Sequence, residues 1–174
     1  LVHATLDSVE TFAGEAEQAD DITVLALRYC TEPQAAGERL EITIANQLAE
    51  IDRVNDTFND FAERCGIPMP VSLRVNMVFD ELLANVISYA YDDGEAHSIE
   101  ITVGYNNGRL TIGITDDGIP FNPFTREDPD TTLSLEERDI GGLGIHLVKN
   151  TMDETLYQRR HNRNTVTLIK KLEL

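Results

Sequence analysis

The chain has 174 residues, 41% hydrophobic and 26% charged, proportions of a soluble globular protein with room for one substantial domain. Its formal net charge of −17 argues against nucleic acid, whose phosphates need clustered Lys and Arg, and against docking on an anionic membrane. Thirty-one acidic residues suit a cytoplasmic protein and leave a basic or mixed-charge protein partner open.

Along the chain, Val2, Leu6, Val9 and Phe12 recur at helical spacing before Gly14, and ITVLALRY (22–29) reads as a strand. Leu1 in place of Met predicts a segment of a longer protein. TEPQAAGE (31–38) has the composition of a linker, and LEITIAN (40–46) alternates like a new first strand. Residues 47–65 predict an amphipathic helix: Leu48, Ile51, Val54, Phe58, Phe61 and Cys65 step by three or four, with Gly66 and Pro68 as stops. A second helix follows Pro70, apolar at Leu73, Val75, Val78, Phe79, Leu82, Leu83, Val86, Ile87 and Ala90. HSIEITVGY (97–105) and RLTIGITDD (109–117) alternate on either side of Asn106–Asn107–Gly108, a hairpin signal.

Residues 121–141 are polar, carry Pro123 and Pro129, and are too long for a turn, which predicts a functional or mobile loop. GGLGIHLVKNTMD (141–153) regains helical periodicity, and ETLYQRR (154–160) with NTVTLIKKLEL (164–174) predicts two last strands. No apolar run approaches the roughly 18–20 residues a bilayer requires. No basic and apolar leader marks a secretory signal. Cys30 and Cys65 have no metal-ligand spacing and form no disulfide framework, as in a reducing compartment. The element order predicts an α+β fold: a two-layer α/β sandwich with a mixed, mostly antiparallel sheet and helices on one face.

Three places could carry chemistry. On the second long helix, Glu81 and Asn85 stand one turn apart on one face. An Asn amide oxygen suits Mg²⁺, and a Glu beside it could take a proton from an attacking hydroxyl; the plainer alternative is a solvated helix face. GGLG (141–144) opens a helix where backbone N–H groups would meet phosphate, or is a simple turn. It is no P-loop, because G-x-x-x-x-G-K-[ST] is absent. Asp116 ends a strand, where it could accept a hydrogen bond from an exocyclic amine, with Gly118 admitting a flat ring; alone, this is a strand-end Asp-Gly turn.

In this order, E-x-x-x-N, D-x-G-x-P-F and G-x-G-I-x-L resemble the nucleotide-binding boxes of the GHKL (Bergerat-fold) ATPases. DELLANVISYAY, DDGIPFNP and GGLGIHLVKNTMDE are most similar to the branch of anti-sigma-factor serine protein kinases, over roughly 38–174. The resemblance implies that ATP and Mg²⁺ are bound, with Asn85 on the metal and Glu81 as catalytic base. It further implies Asp116 and Gly118 at adenine, Gly142 and Gly144 at the phosphates, Ile145 among the cofactor-binding residues, and Thr165 near the base. Pro120 departs from the second glycine of many members, fixing φ and removing an N–H. GEAEQADDITVLALRY is similar to the C-terminal end of PPM-type serine phosphatases, where the aspartate matching Asp20 helps bind a metal pair; the rest of that metal site is not in this chain. The expected organisation is therefore a phosphatase remnant at 1–30, a linker at 31–37 and a histidine-kinase-like ATPase domain at 38–174.

The function implied is a serine/threonine protein kinase acting on an anti-sigma-factor antagonist (STAS-type) protein, with a sigma factor as a further partner and homodimers as in relatives. The competing expectation is a nucleotide-gated binding module with little catalysis. A sensor histidine kinase is disfavoured because the helix at 47–65 carries no His to accept phosphate.

Overall fold

A computed structural model of the protein describes residues 37–125 and 143–172. The expected phosphatase remnant, nearly all of the linker, and most of the loop at 121–141 lie outside the described residues. So do Cys30 and Gly142.

Among the described residues, five strands and three α-helices follow one another: β1 (Glu38–Ala45), α1 (Glu50–Arg64), α2 (Met69–Tyr89), β2 (Ser98–Asn106), β3 (Arg109–Asp116), α3 (Leu143–Thr151), β4 (Glu154–Arg160) and β5 (Arg163–Lys171). The strands form one sheet in the order β1-β2-β3-β5-β4, and each neighbouring pair is antiparallel. Alternation decides the layers. Ile42, Ile44, Ile99, Ile101, Val103, Leu110, Ile112, Ile114, Val166 and Leu168 turn inward and are buried against the helices. The residues between them, among them Thr43, Thr102 and Thr167, are exposed or half-exposed on the other face. This is the expected two-layer α+β arrangement.

Local chemistry sets the element ends. Asn107 and Gly108, the two residues between β2 and β3, both have positive φ (47° and 74°), the primed-turn geometry that suits a right-twisted hairpin. The β4–β5 turn achieves the same at His161 and Asn162 (49° and 60°) without a glycine. Helix α1 closes in a Schellman motif: Gly66 (φ 67°) donates to the Glu63 carbonyl at 3.1 Å and Ile67 to the Ala62 carbonyl at 2.8 Å. Helix α2 begins one residue before Pro70, because a proline in the first turn sacrifices no intrahelical hydrogen bond. Phe58 and Phe79 join α1 to α2 edge-to-face, with ring centroids 5.4 Å apart. The inner face of α2 is thus fixed by packing, and its polar residues are held where β3 and α3 end and begin.

Candidate nucleotide site

The polar ridge of α2 is anchored at both ends. Asn85 donates from Nδ2 to Glu81 Oε1 at 2.7 Å, so the two side chains form one unit. Against it lies the start of α3. A Cβ added to Gly144 would fall within the Glu81 carboxylate group, so glycine is what lets that carboxylate lie against the α3 backbone. Nine residues further on, about 13 Å at 1.5 Å rise per residue, Ala90 at the C-cap of α2 meets Gly118. There a Cβ would stand 2.6 Å from both the Ala90 Cβ and its carbonyl oxygen. One helix therefore touches both glycine-bearing motifs, one at each end of its polar ridge.

Asp116 is 4% exposed at the inner end of β3. Its Oδ1 accepts from the Gly118 N–H at 2.9 Å and from Asn164 Nδ2 at 2.7 Å. Burial raises its pKa above the ordinary carboxylate value, and those two hydrogen bonds oppose the rise. Both donors converge on one oxygen, and no described group bonds Oδ2. The loop after Asp116 is tied down further. Ile119 N–H donates to the Ala90 carbonyl at 2.9 Å, and Arg159 Nη1 to the Gly118 carbonyl at 2.9 Å.

Next to this loop His97 bridges two carboxylates, Nε2 lying 3.0 Å from Asp93 Oδ2 and Nδ1 3.1 Å from Asp117 Oδ1. Its ring stacks on Tyr91 with centroids 4.2 Å apart. Asp93 chiefly, then Asp117, raises the His97 pKa, whereas the Glu95 N–H and then His97 lower that of Asp93. Burial, reinforced by the Asp116 and Asp117 charges, keeps the Tyr91 phenol neutral well above its usual range. The sign for His97 follows from linkage. A raised folded pKa gives stability that is fully present below the ordinary histidine value and lost as pH rises through the raised one. Asp93, being lowered, contributes above the ordinary aspartate value and loses its share as pH falls through its lowered one. His97→Gln is therefore expected to lower the melting temperature more at pH 6 than at pH 9. Melting curves of both proteins across that range check it.

The sequence-predicted residues divide into three groups. Glu81, Asn85 and Gly144 meet at one end of the ridge, and Asp116 with Gly118 at the other. Ile145 is 5% exposed within the hydrophobic core, which leaves its backbone, not its side chain, for a ligand. Thr165 does not join Asp116. It pairs across the sheet with Thr115, their hydroxyls 3.2 Å apart, while Asp116 pairs with Asn164. Adjacent residues of a strand point to opposite faces, so Thr165 turns away from the aspartate and Asn164 occupies the expected place. The signal for Asn164 was its parity with Val166 and Leu168 on the core face.

The donor set at Glu81–Asn85 suits a hard cation. With its N–H directed at Glu81, Asn85 keeps its amide oxygen as the ligand atom, the type of donor Mg²⁺ accepts. Among the described residues no group of three or more His, Cys, Asp and Glu could hold a metal unaided. A cation here would share its ligands with phosphate oxygens, as Mg²⁺ does in nucleotide sites.

Gly144→Ala tests the tight approach of α3. The nearest obstruction is the end of a flexible side chain, so the fold should tolerate the methyl while Glu81 is displaced from Asn85. The expected result is a small change in melting temperature and loss of the Asn85–Glu81 hydrogen bond. Thermal melts and NMR of the Asn85 side-chain amide on the same preparation check both.

A family model described as the histidine kinase-like ATPase domain matches residues 44–170. The serine/threonine-protein kinase BtrW of Bordetella bronchiseptica is 32% identical over 89 residues, covering 51% of this chain and 63% of that protein, so the chain matches less than two thirds of that relative's length. The serine-protein kinase RsbW of Bacillus subtilis is 24% identical over 138 residues, covering 76% and 85%. A crystal structure of the RsbU and RsbW domains of a Mycobacterium tuberculosis protein superposes with a TM-score of 0.57 at 13% identity, over 78% of this chain and 32% of that one, a likeness of fold. With the family model spanning every described strand and helix from within β1 into β5, the chain belongs to the histidine kinase-like ATPase domain family.

Proposed function

We propose that this chain is an ATP- and Mg²⁺-dependent protein serine/threonine kinase domain that phosphorylates an anti-sigma-factor antagonist of the STAS type in the cytoplasm. The observation that carries the reading is the single helix α2, which bears Glu81 and Asn85 against Gly144 and, about 13 Å away, meets Gly118 beside Asp116. That spacing suits an extended nucleoside triphosphate, with its base at Asp116 and its phosphates at the start of α3. The names of the Bordetella and Bacillus relatives support the kinase activity.

In this reading Asp116 Oδ2 accepts from the adenine amine, and Gly118 admits the ring. The backbone N–H of Gly144, at the positive end of α3, faces the phosphates, and Gly142, outside the described residues, is the second phosphate contact the family motif implies. Asn85 Oδ1 would hold Mg²⁺, whose charge would offset that of the phosphates. Glu81 takes the proton of the attacking Ser or Thr hydroxyl as its oxygen bonds to the γ-phosphorus. The bond from that phosphorus to the bridging oxygen breaks, and ADP leaves. Residues 1–30, as a phosphatase remnant, would join this domain to a second signalling activity. The domain would also form a homodimer and contact a sigma factor.

The test incubates the protein with γ-labelled ATP, Mg²⁺ and a purified STAS-type antagonist. Label on a Ser or Thr of the antagonist is expected. ATP-dependent capture of the antagonist without label would replace the kinase by a nucleotide-gated binding module.

A further inference from the structure

Asn164 is 3% exposed, and every hydrogen-bonding position of its side chain is used. Its Oδ1 accepts from Arg159 Nη1 at 2.7 Å and from the Tyr157 hydroxyl at 2.8 Å. Its Nδ2 donates to Asp116 Oδ1 at 2.7 Å and to the Ile119 carbonyl at 2.9 Å, with the Gly118 carbonyl at 3.4 Å. Arginine is a donor only, so the amide oxygen must face Arg159 and the amide nitrogen must face Asp116. The orientation is dictated from the β4–β5 hairpin.

This has a chemical consequence at Asp116. With Asn164 Nδ2 and the Gly118 N–H both directed at Oδ1, that oxygen can serve only as an acceptor, and a proton could reside only on Oδ2. Resting on the adenine reading of Asp116, we infer that Asn164, locked by Arg159 and Tyr157, is a positioning residue that keeps the Asp116 carboxylate ionised and presents its free oxygen to a 6-aminopurine. The charged and titratable groups around Asp116 are Arg159 from β4, Asp117 in its own loop, Tyr91 after α2 and Arg163 at the start of β5. Burial and Asp117 favour the protonated acid, while Asn164, Gly118 and Arg159 favour the carboxylate. Asn164 is thus the side-chain hydrogen bond that opposes the effect of burial on this carboxylate.

Two variants separate positioning from simple support of the loop. Asn164→Ala removes the donor, and Asn164→Asp keeps the shape but presents a second carboxylate to Asp116. ADP with Mg²⁺ is the probe, titrated calorimetrically between pH 5.5 and 8.5, alongside a carboxyl-carbon NMR titration of Asp116 in the free protein. For Asn164→Ala, ADP affinity should fall roughly tenfold at pH 7.5, the weight of a hydrogen bond to a charged group. Its Asp116 should titrate higher than in wild type, so that binding fades at a higher pH. For Asn164→Asp the trend should reverse. Binding should be weak at pH 8.5 and recover toward pH 5.5, where one proton is shared between the facing carboxylates.

Wild-type affinity and an unchanged Asp116 titration in both variants would overturn the inference while leaving the adenine site intact. Parallel losses in both variants with no change of pH trend would overturn it in favour of loop support. Absence of ADP binding by wild type would refute the adenine reading and this inference's role in base recognition. The NMR titration would still decide whether Asn164 sets the ionisation of Asp116.

Discussion

Glu81→Gln is expected to leave ADP affinity within about twofold of wild type and to reduce phosphoryl transfer by roughly 10²–10⁴-fold, the usual contribution of a positioned general base. Glutamine has the same length and shape. Its amide oxygen can still accept from Asn85 Nδ2, and its contact with the Gly144 backbone is preserved. What it lacks is the capacity to take a proton. Melting temperature should barely move, because the substituted group lies half-buried on the ridge and is not part of the core. Single-turnover transfer from labelled ATP, measured beside ADP calorimetry, separates chemistry from binding. Unchanged transfer by the variant would remove Glu81 from the mechanism.

Asp116→Asn should weaken ADP binding on the order of 100-fold. The neighbouring donors determine how the introduced amide sits. The Gly118 N–H and Asn164 Nδ2 both require an acceptor, so the amide oxygen must take the place of Oδ1. Its NH₂ then faces the ligand, donor against the donor amine of adenine. The same NH₂ would match a 6-oxopurine, so the preference for ADP over inosine diphosphate should collapse or invert. A second signature lies in pH. Burial raises the Asp116 pKa, so wild-type affinity should weaken as pH falls through that raised value, whereas the amide variant should show no such dependence. Competition titrations with both nucleotides between pH 5 and 8 measure the switch and its pH dependence together.

Much of the fold was legible because periodicity and turn chemistry act locally. The step of Ile51, Val54, Phe58 and Phe61 predicts the buried stripe of α1, and Asn107–Gly108 predicts the β2–β3 hairpin. The predicted helix at 47–65 is trimmed to Glu50–Arg64, since Gln47 and Leu48 form a preceding turn. The turn at His161–Asn162 carried no glycine to announce its left-handed backbone. Of the site, the Glu81–Asn85 pairing follows from helical spacing, while the contact between Glu81 and Gly144 joins residues far apart in the chain and has no local signature. The Thr165 expectation followed the family motif and not the strand. Alternation with Val166 and Leu168 assigns the inward position to Asn164, but only the β3–β5 register reveals Asp116 as its partner.

A single nucleotide is expected to span the ridge of α2 from Asp116 to Glu81. The most direct measurement is a titration of the wild-type protein with ADP and Mg²⁺, followed by NMR at the Asp116 carboxyl carbon, the Gly118 and Gly144 amides and the Asn85 side-chain amide. All four should shift along one saturation curve with one dissociation constant. Shifts confined to one end of the helix, or no saturable shift at either, would contradict it.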